Sequence, residues 1–238
     1  MEQADYNRII QDCLALCEQY AEKGMKLIPL CMDSDIEDQA ALEEIGIQSR
    51  YLPRGFYCPS PDLEQIITNM RRGKIARRKT KRLQPTNRYL FDKDGKLFLA
   101  ETFYPNGCVA EEYIFYEKDV SFGLELDSDM RIYTISIALY KDGRICAYLW
   151  AACNGISKDT NALGVHSIIY ETYSYTSDGY LETNWYNISI MSINIVTYVK
   201  YRFALGEDNK IIPGSGVTLK WEKKIGEKTE KTGDGSLS

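Results

Sequence analysis

Apolar residues at Ile9, Ile10, Cys13, Leu14, Cys17, Tyr20 and Ala21 recur at intervals of three and four, which predicts a helix with one buried face. Asp5 is placed to cap its start and Gly24 to stop it. Ser34 and Glu37 have capping-box spacing, and Ala40, Ala41 and Ile45 follow before Gly46, a second predicted helix. Ser60-Pro61 opens a third, with Leu63, Ile66, Ile67 and Met70 facing inward. The stretch YLPRGFYCPS before it reads as a loop.

From about residue 87 the period changes to two. In MRIYTISIALY, Tyr133, Ile135, Ile137 and Leu139 share one face, while RICAYLWAAC is apolar on both faces, as a covered central strand would be. Turn signals at Asp92–Gly95, Pro105–Gly107, Asp142–Gly143, Asp178–Gly179 and Glu207–Asn209 divide the region into about nine or ten strands. The apolar phase shifts near Met191, where a bulge or turn is expected. The predicted fold is α+β: N-terminal helices packed on a long antiparallel β-meander. Along the chain this gives a helical segment over 1–73, a basic connector over 74–86, the meander over 87–222 and a flexible tail over 223–238, all in one compact unit.

Charge changes the picture more than composition does. Residues 1–70 carry 5 basic and 13 acidic side chains, whereas residues 71–82, RRGKIARRKTKR, carry 8 basic and none acidic. The chain is an acidic protein with one basic band: Arg71, Arg72, Lys74, Arg77, Arg78, Lys79, Lys81 and Arg82. Read as a solvated linker, the band neutralises the acidic helices beside it; read as a site, it tracks a phosphate backbone or docks a partner. It has no interleaved aromatics to stack bases. Hydrophobic residues make up 44% of the chain, enough for a packed core, and the 18 tyrosines suit half-buried strands or an interface. The N-terminus lacks a basic start and apolar block, and no apolar run is long enough to span a bilayer, so neither a signal peptide nor a membrane anchor is expected. Seven irregularly spaced cysteines fit reduced thiols in a cytoplasm better than a disulfide framework.

Chemistry-bearing constellations are sparse. His166 is the lone histidine and needs an acid or nucleophile brought beside it by the fold. Cys13 and Cys17 share a helix face, but it is the buried face, and no second tight pair completes a zinc site. Asp92-Lys93-Asp94-Gly95 looks like half a calcium loop, with Leu90 where the first Asp belongs. Neither GxxxxGK[ST] nor GxGxxG is present. Glu111 and Glu112, adjacent in a strand, face opposite sides. No cofactor, metal or catalytic residue is expected from these patterns.

Two segments carry a resemblance. Tyr89, Phe91, Asp92, Gly95, Lys96 and Leu97, repeated as Tyr140, Asp142, Gly143, Arg144 and Ile145, resemble the meander strands of immunity proteins encoded beside bacterial polymorphic toxins. That resemblance implies a non-enzymatic cytoplasmic inhibitor that binds one cognate toxin. An acidic inhibitor would suit a basic nuclease toxin, by mimicking its polyanionic substrate and steering encounter. Asp33, Asp35, Glu37, Asp38, Glu43 and Glu44 are the acidic candidates for contact, and Tyr173, Tyr175 and Tyr186 the aromatic ones. The alternative is a nucleic-acid-associated or regulatory protein working through residues 71–82. A third reading is an enzyme with an unrecognised Cys or carboxylate site.

Overall fold

The computed structural model describes residues 3–32, 36–47, 73–77, 84–156, 163–190, 194–207, 211–212 and 215–225. A 30-residue helix, α1 (Gln3–Met32), precedes a single turn, α2 (Ile36–Gln39). Twelve strands follow: β1 (Leu42–Ile47), β2 (Lys74–Ile75), β3 (Asn87–Phe91), β4 (Leu97–Phe103), β5 (Val109–Tyr116), β6 (Val120–Leu126), β7 (Ile132–Lys141), β8 (Arg144–Ile156), β9 (Leu163–Tyr175), β10 (Tyr180–Ile190), β11 (Asn194–Ala204) and β12 (Val217–Ile225). They form one antiparallel sheet in which β3 to β12 run in chain order and β1 and β2 complete the β3 end. The α+β meander is as expected, but with twelve strands rather than nine or ten.

Helix α1 lies against β6, β7 and β9. Tyr6, Ile10, Cys13, Cys17, Tyr20, Ala21 and Ile28 are its buried stripe. Gly24 does not end the helix. A Cβ there would stand 2.2 Å from Leu124 Cδ1, so the glycine lets the helix backbone approach β6, and Met25, Leu27 and Ile28 continue the apolar period beyond it. The second expected helix is also corrected. Only Ile36–Gln39 is helical, and Leu42–Ile47 extends as β1 against β3, with Leu42 opposite Phe91 and Ile45 opposite Arg88. Within the connector, Lys74 and Ile75 pair with Ile47 and Gly46. The third expected helix lies outside the described residues, as do residues 191–193, where the phase changes.

The first four expected turns each fall between consecutive strands, and residues 208–209 of the fifth lie outside the described residues. Asp92 Oδ1 accepts from the backbone N–H groups of Asp94 and Lys96, an Asx turn. Asp142 (φ 51°) and Gly143 (φ 73°) both adopt the left-handed conformation that a two-residue hairpin between twisted strands requires.

On the helix face, one cross-strand row runs Phe115–Phe122–Ile137–Leu149–Tyr170–Tyr186–Tyr198–Glu222. Its neighbour on the opposite face runs Ala138–Tyr148–Glu171–Trp185–Val199–Trp221. Both faces are packed: Leu149 is buried beneath α1, while Tyr148, Trp185 and Phe203 form a second core on the other side. That β8 is covered on both faces matches its double-sided apolar sequence.

Glu222 ties the start of α1 to β12. Tyr6 donates its phenolic hydrogen to Glu222 Oε2 at 2.8 Å, and Lys220 Nζ lies 2.6 Å from Oε1. The Lys220 ammonium, followed by the Tyr6 hydroxyl, lowers the Glu222 carboxyl to about 2. Because the folded value is depressed, the stabilisation is present above about 4.5, the ordinary carboxyl value, and is lost as the pH falls toward about 2. Stability measured by denaturant across this window is expected to fall less steeply in Glu222→Gln than in wild type, and parallel curves would refute the linkage.

Candidate functional site

The last turn of α1 and the start of β1 expose apolar side chains, and the sequence between them is acidic. Leu30, Met32 and Leu42 are 67%, 48% and 53% exposed, values that set them apart from the buried stripe just before them. Asp38 is exposed, and Glu43 and Glu44 are half-buried on β1. The strand holds its place through the Ala41 N–H, which donates to the Phe91 carbonyl at 2.9 Å, and through its register with β3. Since neighbouring strand residues point to opposite faces, Glu43 and Glu44 diverge, opposite Leu90 and Tyr89. Asp33, Asp35 and the side chain of Glu37 lie outside the described residues.

Of the aromatic candidates, Tyr186 is buried under α1, 5.0 Å from the Tyr198 ring. Tyr173 is buried in the opposite core, its hydroxyl donating to Glu171. Neither offers a contact surface in this conformation. Tyr175 is half-buried, with the Arg144 guanidinium 5.2 Å above its ring. From the basic band, Lys74 and Arg77 are exposed. Arg71, Arg72, Arg78, Lys79, Lys81 and Arg82 lie outside the described residues.

Carboxylates that are remote in the sequence do meet. Glu112 and Glu125 stand opposite each other across β5 and β6, on the face away from α1. Ser136 Oγ donates to Glu112 at 3.0 Å, and Thr134 Oγ1 to Glu125 at 2.8 Å. Glu171 is fully buried farther along the same face. Sequence inspection rightly separates Glu111 from Glu112, yet it misses the cross-strand Glu112–Glu125 pair, because register is a long-range property.

Other reactive groups are dispersed. Burial pushes Cys13 and Cys153 up to about 12, which suppresses the thiolate. Exposed Cys108 lines a shallow 270 Å³ cavity with Tyr104, Asp127 and Tyr133, where Asp127 is engaged by Arg131. His166 lies on β9 between the partners of Cys153 and Ala152, and its Nδ1 is buried without a hydrogen-bond partner among the described residues. Also among the described residues, no three potential ligands converge as a metal site, and no helix is long and apolar enough to cross a membrane.

No family of known proteins, no curated protein and no solved structure matches this chain.

Proposed function

We propose that the protein is a non-enzymatic inhibitor that binds and neutralises a cognate protein toxin, in the manner of the immunity proteins its hairpins resemble. The observation carrying this reading is the exposure of Leu30, Met32 and Leu42 at the end of α1 and the start of β1, in a stretch of chain whose sequence is acidic and whose Asp38 is exposed. Exposed apolar residues with a charged rim are the composition of a protein interface rather than of a solvated loop. Its acidity fits a basic partner, with charge setting the encounter rate and apolar contact the lifetime of the complex.

The test is co-expression with the product of the reading frame adjacent to its gene. A stoichiometric complex that survives moderate salt, with a neighbour toxic when expressed alone, is expected. Changing Asp38 and Glu43 together to Lys should slow association by about tenfold at low salt, with the difference shrinking as salt rises. A harmless neighbour that does not bind would overturn the reading.

A further inference from the structure

Strand β12 is one of the two edges of the sheet among the described residues, the other being the two-residue β2. β12 is also the most exposed strand: Val217, Leu219, Trp221 and Ile225 are 56%, 47%, 62% and 67% exposed. An edge of this length with a bare tryptophan is a template for another strand. Lysines at 220, 223 and 224 reduce that hazard against strands in general, and a bulge at Leu219 interrupts the ladder with β11. The charges nevertheless fit one particular strand well.

We propose that β12 pairs with β12 of a second copy, antiparallel about a two-fold axis at Trp221, so that two sheets become one. A two-fold axis perpendicular to the sheet opposes residues of the same parity, which limits the registers to those centred on a residue. Centring on Trp221 is the register that overlaps the two nine-residue strands end to end, with the bulge at Leu219 of each copy beside Lys223 of the other. It places Trp221 against its symmetry mate and sets Lys220 of each copy against Glu222 of the other. Val217 of one copy then lies at the same end of the pair as Ile225 of the other. Centring on Lys220 opposes that lysine to itself. Centring on Glu222 opposes two glutamates and sets Lys220 against Lys224 on both sides.

The rows within each sheet support the same register. The row that ends Trp185–Val199–Trp221 continues through the second tryptophan, giving the exposed indole an aromatic neighbour across the axis. On the helix face, Lys200 pairs with Glu182 and Lys220 with its own Glu222, each at 2.6 Å, and the dimer sets the mate's glutamate on the open side of Lys220, extending these pairs into one alternating network across the axis. This surface lies at the opposite end of the sheet from the Leu30–Glu44 segment, so the inference does not depend on the toxin reading.

The experiment is light scattering on the eluting full-length protein over a concentration series, with circular dichroism confirming the fold of each variant. The wild type is expected to show a concentration-dependent dimer. Lys220→Glu opposes glutamates at both sites and should weaken it by about tenfold, as should Glu222→Lys. The double swap Lys220→Glu with Glu222→Lys restores opposite charges and should recover dimerisation. Trp221→Lys should leave a folded monomer. A wild type that stays monomeric at its highest soluble concentration overturns the proposal and leaves the edge to a strand from another protein. A dimer indifferent to Trp221→Lys and to both single charge reversals overturns it as well, by placing the interface elsewhere.

Discussion

Replacing Phe122 by Ala is expected to destabilise the protein by about 3–5 kcal/mol, the range for truncating a large aromatic side chain in a close-packed core. The ring is fully buried on β6 between two others, with centroids 4.8 Å from Tyr20 of α1 and 5.1 Å from Phe115 of β5. It is therefore the point at which helix and sheet share one aromatic cluster. Collapse of the cavity is resisted on both sides: Gly24 already brings the helix backbone against Leu124 and Phe122, and the β5–β6–β7 ladders fix the sheet. Part of the lost energy is the aromatic contact itself, about 0.5–1.5 kcal/mol per pair beyond burial. Denaturant unfolding of the variant, compared with Tyr116→Ala at a partly exposed ring on β5, measures the effect. A loss under about 1 kcal/mol for Phe122→Ala would mean that α1 does not dock on β6 in this way.

What could be read from the residues was local. The Asp92–Gly95 and Asp142–Gly143 turns specify their own geometry, since an Asx hydrogen bond and a left-handed φ need only a few neighbouring residues. Strands β3 to β11 fall within the period-two region, and β12 overruns its expected end at 222 by three residues. The errors arise where a residue has two uses. Gly24 reads as a helix stop, but it is a packing glycine, and the apolar period resuming at Met25, Leu27 and Ile28 was the available signal. Segment LEEIGI pairs as a strand between β3 and the short β2, although its glutamates and the preceding capping box favour a helix. That outcome is decided by β3, more than forty residues away. Residues 223–225, KKI, read as the start of a tail because two adjacent lysines offer no apolar alternation to continue a strand, yet they complete β12.

The candidate site was half visible for the same reason. The acidity of residues 33–44 is plain in the sequence, and the exposure of Leu30, Met32 and Leu42 is not. Abundant tyrosine suits half-buried strands as well as an interface, and at Tyr173 and Tyr186 the ring is buried in the core.

Gly123→Val is expected to rank with Phe122→Ala, at a cost of about 2–4 kcal/mol, through a different mechanism. Gly123 sits on β6 between Ile114 and Ser136. A Cβ at this position would lie 2.6 Å from Glu112 Oε1 and 2.8 Å from Ser136 Oγ. The missing side chain thus makes the space through which the Glu112 carboxylate reaches Ser136. Any larger residue must displace one of the two and break their 3.0 Å hydrogen bond. A buried carboxylate forced off a donor loses much more than the same group at the surface, because little water replaces the bond. Sterics and electrostatics can be separated by a double-mutant cycle. If the damage runs through the carboxylate, Gly123→Ala should be much less harmful in a Glu112→Ala background than in wild type, with a coupling of at least about 1 kcal/mol in denaturant unfolding. Additive effects would place the strain in the β6 backbone instead, and would remove Glu112–Ser136 as the reason for a glycine in the middle of a buried strand.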